Sequence, residues 1–143
     1  MPEPKARVLF VEDDLTLSFV VLRHLRARGH EGRTVDRVED AIDLLASGFR
    51  PTVVLLDINL PGAPGWDLLR SDAFRQAGSP PVCVVTATSV SPARLREFGI
   101  AGFLPKPFPM ATLIDIVERQ PGSDPQSAET VLDGRAFEPE VRS

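Results

Sequence analysis

Short apolar runs recur along the chain and do not alternate with polar residues. They are Arg7–Val11 (RVLFV), Val53–Leu56 (VVLL), Val82–Val85 (VCVV) and Ala101–Leu104. Runs of this length, rich in β-branched residues, predict strands, and a continuous apolar strand is one buried on both faces. Glu31–Asp36 (EGRTVD) is a weaker fifth candidate. The segments between change to helical spacing. Ser18, Val21, Leu22 and Leu25 share one face of a helix over Leu15–Arg28, which Gly29 stops. Ala41, Ile42, Leu44 and Leu45 mark a second helix over Val38–Ala46, ended by Gly48. Trp66–Arg75 predicts a third. Ser91-Pro92 is an N-cap with Pro at the first helical position, opening a short helix over Ala93–Phe98. Met110–Arg119 predicts the last.

Strands alternating with helices imply a parallel sheet covered on both faces. Right-handed crossovers leave few ways to order the strands. The expectation is an α/β fold of (βα)5 type, flavodoxin-like and doubly wound, with strand order 2-1-3-4-5. The folded domain is expected over residues 1–120. Residues 121–143 differ in kind, with Pro121, Pro125, Pro139, Gly122 and Gly134, and five acids against two Arg. Few apolar residues there offset the entropy of ordering, so a flexible acidic tail is expected.

Composition narrows the function. The chain has 143 residues and a formal charge of −4, which does not suggest a nucleic-acid binder. The single cysteine, Cys83, lies inside an apolar run, so no disulfide framework or paired-cysteine metal site is available. No apolar run is long enough to span a bilayer, and the N-terminus carries no signal-like apolar core. A cytoplasmic protein with no nucleic-acid and no membrane partner is the expectation. No output domain is expected after residue 119.

In an open α/β sheet, ligands bind beyond the carboxyl ends of the strands. The first strand runs into Glu12-Asp13-Asp14, the third into Asp57, the fourth into Thr86, and the fifth through Pro105 into Lys106. Taken singly, these residues have ordinary readings. The acids could open a helix, Asp57 could cap a strand, Thr86 could be a plain strand residue and Lys106 a solvated cation. Taken together they form a reaction set. Clustered carboxylates repel unless a cation neutralises them. Mg²⁺ suits one or two carboxylates together with phosphate oxygens, with Asp13 and Asp57 as natural ligands. The Asp57 carboxylate could then attack a phosphoryl group, with Lys106 and the Thr86 hydroxyl holding its oxygens.

These residues resemble the response-regulator receiver family of bacterial two-component systems. Val8–Asp14 is similar to the family's first strand with its acidic pair. Asp57-Ile58-Asn59-Leu60-Pro61 and Gly65 resemble the phosphoacceptor loop, Thr86-Ala87 the hydroxyl-Ala pair, and Lys106-Pro107 the Lys-Pro motif. The resemblance covers roughly residues 6–119. It implies that Asp57 takes a phosphoryl group from a phosphohistidine. It further implies that Asp13 binds Mg²⁺ directly, Glu12 through water and Asn59 through its carbonyl, and that Thr86 and Lys106 contact the phosphate. It also implies a cis bond before Pro107, a switch pair in Thr86 and Phe103, and a sensor histidine kinase or histidine phosphotransfer protein as partner. The downstream protein target is unknown, and a homodimer is compatible with the family. Asn59 and Thr88 stand where the family tunes phosphate lifetime. Only twenty positions separate Thr86 from Lys106, which predicts a stunted fourth helix.

Four other readings compete. A phosphate-independent interaction module would keep the shape but lose members of this set. An aspartate-nucleophile phosphatase would want a second Asp where Asn59 stands. A flavodoxin would want a hydroxyl- and Gly-rich loop where Glu12-Asp13-Asp14 would repel a flavin phosphate. The fourth concerns extent: the chain could be the receiver part of a longer DNA-binding regulator.

Overall fold

A computed structural model describes residues 5–120 of the chain; the expected tail lies outside the described residues. Five parallel strands form one sheet in the order β2-β1-β3-β4-β5. They are β1 (Arg7–Val11), β2 (Glu31–Val35), β3 (Val53–Leu56), β4 (Val82–Thr86) and β5 (Gly102–Pro105). The helices are α1 (Leu15–Ala27), α2 (Val38–Ala46), α3 (Trp66–Leu69), α4 (Asp72–Gln76), α5 (Pro92–Glu97) and α6 (Met110–Glu118).

Alternating strand residues separate two core layers. Val8 and Phe10 of β1, Val53 and Leu55 of β3, Cys83 and Val85 of β4, and Leu104 of β5 face α1 and α6, meeting Val21, Leu25, Leu113 and Val117. Leu9, Val11, Val54, Leu56, Val82, Val84 and Phe103 face α2–α5, meeting Ala41, Leu45, Leu68, Phe74 and Leu95. Both layers are apolar, which is why the strands read as continuous runs. Each buried Leu or Val contributes roughly 1.5–3 kcal/mol over its exposed state.

The helix expected over Trp66–Arg75 is instead two short helices. Arg70 ends α3, and Ser71 opens α4 with its hydroxyl accepting from the Phe74 N–H at 3.2 Å. A serine followed by Asp72 is a good N-cap signal, and the local cap outweighs continuity of the longer helix. The helix after β4 is short, as expected: α5 has six residues and buries only Leu95. The end of α6 is fastened to the connection between α1 and β2. Glu118 accepts two hydrogen bonds from Arg28, at 2.6 and 2.8 Å, and lies 2.8 Å from the buried His30 Nε2. Among the described residues, no helix is long and apolar enough to cross a membrane.

Candidate phosphoacceptor site

The residues singled out at the strand ends meet at one edge of the sheet. Backbone pairing places them. The N–H of Glu12 donates to Val35 O, that of Asp57 to Val11 O, and that of Lys106 to Thr86 O, at 2.9, 3.0 and 3.0 Å. Each continues the ladder one residue past its strand, so the side chains emerge side by side. Asp14 is drawn away from this group, because its side chain caps α1 by accepting from the Leu17 N–H at 3.1 Å. Its ordinary reading as a helix start is correct.

Asp57 is buried. Its Oδ1 accepts from the Asn59 N–H at 3.0 Å and its Oδ2 from Lys106 Nζ at 2.9 Å. Lys106 also reaches Glu12 Oε1, at 2.6 Å, and Glu12 Oε2 accepts from the Asp14 N–H at 3.0 Å. Carboxylate oxygens of Glu12, Asp13 and Asp57 lie within 4.8 Å of one another. Glu12 and Asp57 are buried, and Asp13 is exposed at the mouth. Lys106 thus pairs with two of the three acids, and Asp13 stands beside them without a paired cation of its own among the described residues.

The electrostatics follow from that imbalance. Burial pushes the Glu12 carboxyl above its ordinary value and the Asp57 charge adds to this, while Lys106 and the Asp14 N–H oppose it. Burial pulls the Lys106 ammonium down, but hydrogen bonds and charge from Glu12 and Asp57 outweigh it, so Lys106 titrates above its ordinary value. Lys106 is therefore a fixed positive charge beside Asp57 at neutral pH.

Thr86 is buried at the end of β4, and its Oγ1 lies 3.0 Å from Thr88 Oγ1. The Asn59 side-chain amide donates to Thr88 Oγ1. A polar chain thus runs from Asp57 through Asn59 and Thr88 to Thr86. The Lys106–Pro107 peptide is cis. Phe103 is buried in the layer that holds Leu95 and Trp66, so its ring already points inward. Gly65 closes the loop that follows Asp57, its N–H donating to Ile58 O at 3.1 Å. A Cβ on Gly65 would stand 2.6 Å from Asp57 O, so only glycine allows this approach.

The sequence reading missed the direct ion pair between Glu12 and Lys106. It also missed the stack of Trp66 on Phe98, ring centroids 4.7 Å apart. Neither leaves a sequence signal, because each joins residues far apart in the chain.

Comparison with known proteins decides the family. The profile of the response regulator receiver domain matches residues 8–118. The chain belongs to this family. It is 37% identical over 127 residues to the response regulator protein FleR of Pseudomonas aeruginosa, covering 83% of this chain and 26% of that protein. It is 32% identical over 111 residues to the response regulator MprA of Mycolicibacterium vanbaalenii, covering 76% of this chain and 47% of that one. The chain thus spans from a quarter to half the length of these relatives. Among solved structures it resembles the chemotaxis response regulator CheY4 of Vibrio cholerae, with a TM-score of 0.69 and 27% identity over 80% of this chain and 97% of that one. It also resembles the receiver domain of a Pseudomonas aeruginosa sensor histidine kinase that has a magnesium ion coordinated in its active-site cleft. There the TM-score is 0.67 and the identity 26%, over 80% of this chain and 96% of that one. The doubly wound sheet of order 2-1-3-4-5 expected from the strand pattern is the fold observed, and the family is the one the motifs resemble.

Proposed function

We propose that this receiver domain accepts a phosphoryl group on Asp57 in a Mg²⁺-dependent reaction, taking it from a phosphohistidine of a sensor histidine kinase or a histidine phosphotransfer protein. The observation that carries the reading is the Asp57 carboxylate itself. It is held between the Asn59 N–H and the Lys106 ammonium, beside two further acids. An Asp57 oxygen attacks phosphorus, the phosphorus–nitrogen bond breaks, and its electron pair returns to the imidazole. Lys106 offsets the charge on the phosphoryl oxygens, and the Thr86 hydroxyl donates to one of them.

The donor set fits a hard divalent cation. Three carboxylates beside one ammonium leave an excess of negative charge, and their oxygens are close enough to share one ion. Asp13 and Asp57 would hold it, with Glu12 and the Asn59 carbonyl assisting. Bound there, Mg²⁺ supplies charge neutralisation that lets an anionic donor approach an anionic nucleophile. Leu15 and Phe19, in the first turns of α1 after Asp13, are large apolar residues that stand exposed. Such exposure suits a docking partner.

Once the group is on Asp57, Thr86 gains a new hydrogen-bond partner and shifts the balance between two conformations. The output is read by protein contact. A second reading is favoured by further relatives: several are transcriptional regulators of which this chain spans about a quarter. In that case the same switch would govern a DNA-binding output elsewhere in a longer protein. Treatment with phosphoramidate and Mg²⁺, then borohydride reduction and peptide mapping, tests the acceptor. Homoserine at position 57 supports the reading, and a phosphorylated protein reduced elsewhere refutes it.

A further inference from the structure

The short helix α5 has little to hold it. A six-residue helix is marginal by itself, and only Leu95 anchors it in the core. Its C-cap residue, Phe98, supplies the second anchor by stacking on Trp66 with an interplanar angle of 16°. Two guanidiniums cover the stack. Arg94 lies 5.6 Å from the Trp66 centroid and 5.9 Å from that of Phe98, and Arg70 lies 5.1 Å from Phe98. Stacked rings with cations on their faces are worth more than their buried area alone.

This cluster joins the two sides of the phosphoacceptor site. Trp66 follows Gly65, whose backbone is fastened to Ile58 beside Asp57. Phe98 and Arg94 sit on α5, which begins just after the loop that carries Thr88. A cleft of about 230 Å³ lies between, lined in part by Asn59, Thr88, Trp66 and Arg94. Across its inner end, the Asn59 amide bonds to the Thr88 hydroxyl. That bridge lasts only while the β4–α5 loop is held toward the Asp57 loop. The aromatic stack, together with Arg94 over the Trp66 ring, links α3 to α5 beside this cleft.

We propose that Trp66, Phe98 and Arg94 are positioning residues that set the lifetime of the phosphoryl group by holding Thr88 against Asn59. The inference rests on the reading of Asp57 as phosphoacceptor. In the hydrolysis it concerns, a water oxygen bonds to phosphorus and the bond from phosphorus to the Asp57 oxygen breaks. The electron pair stays on the Asp57 carboxylate, and the water protons leave with inorganic phosphate. The Asn59–Thr88 bridge narrows the approach of that water. Loosening the stack lets the loop swing out and exposes the phosphorus.

The test is a cycle on the full chain. Each variant is phosphorylated with phosphoramidate and Mg²⁺, the donor is removed, and loss of the phosphoryl mass is followed in time. Phe98→Ala should shorten the lifetime about fivefold, the scale of one hydrogen bond. Phe98→Tyr should restore it, since the ring is kept. In a Thr88→Val background, Phe98→Ala should have no further effect, because the bridge it supports is already gone. Arg94→Gln, at an exposed position, should shift the lifetime in the same direction and serves if Phe98→Ala does not fold. An unchanged lifetime in Phe98→Ala, or in Arg94→Gln if that variant has to stand in, overturns the proposal. So does an undiminished effect of Phe98→Ala on top of Thr88→Val. Wild-type protein that never gains the mass overturns the phosphoacceptor reading, and this inference with it.

Discussion

Lys106 Nζ stands 2.9 Å from Asp57 Oδ2 and 2.6 Å from Glu12 Oε1, so one ammonium joins the ends of β1, β3 and β5. Removing it leaves two buried carboxylates without a cation. Lys106→Ala should therefore cost about 3 kcal/mol at neutral pH, the usual result of breaking a buried pair from one side. Added Mg²⁺ should restore part of that stability by binding the folded state. Urea titrations with and without Mg²⁺ check both statements. The variant should still be phosphorylated but switch weakly, read by comparing hydrogen exchange in the β4–α5 region before and after phosphorylation. Normal switching would remove the role given to Lys106.

Glu12 is a buried carboxylate whose charged form is disfavoured by its surroundings. Its folded-state value lies above its unfolded one, mainly through burial. Its contribution to stability is thus present at low pH and is lost as pH rises through the folded value. Glu12→Gln removes that loss while Asp57 still pairs with Lys106. The variant should be about 1 kcal/mol more stable than wild type at neutral pH in EDTA. It should also bind Mg²⁺ more weakly, as isothermal titration would show.

The opposite sign holds at Glu118. The Arg28 hydrogen bond is the largest cause; burial opposes it, and the hydrogen bond and charge of His30 add to the Arg28 charge in holding the carboxyl at about 2. A lowered value gives stability that is present above the unfolded value and is lost as pH falls toward the folded one. Acid unfolding should therefore steepen between about pH 4.3 and 2. Glu118→Gln should flatten that part of the curve. The clamp is largely solvated, so the loss at neutral pH should stay under about 1 kcal/mol.

Gly65 tests the backbone packing behind Asp57. A methyl group there would meet Asp57 O at 2.6 Å and Ile58 Cα at 3.0 Å. Gly65→Ala should cost about 2 kcal/mol by forced displacement. It should also slow phosphorylation, since the atom that must move belongs to the acceptor residue. Thermal melts and a phosphorylation time course give the two numbers.

The sequence made the sheet legible because its strands are buried on both faces. Val53–Leu56 and Arg7–Val11 have the predicted bounds, and the others shift by a residue or two. Strand-end position alone groups Glu12, Asp13, Asp57, Thr86 and Lys106. What stayed hidden depends on three-dimensional approach. The split after Leu69 turns on one serine hydroxyl competing with helix continuity. The stack of Trp66 on Phe98 joins residues with no periodic relation. Glu12 reads the same in sequence whether it faces water or Lys106, and only its burial shows which.

The central claim is that Asp57 is the acceptor and that its neighbours act through a divalent cation. Intact mass spectrometry after incubation with acetyl phosphate tests it most directly, comparing wild type with Mg²⁺, wild type in EDTA, and Asp57→Asn with Mg²⁺. The account predicts one added phosphoryl group in the first sample and none in the other two. A gain that persists in Asp57→Asn or in EDTA, or no gain in folded wild type that also fails to bind beryllofluoride, would contradict it.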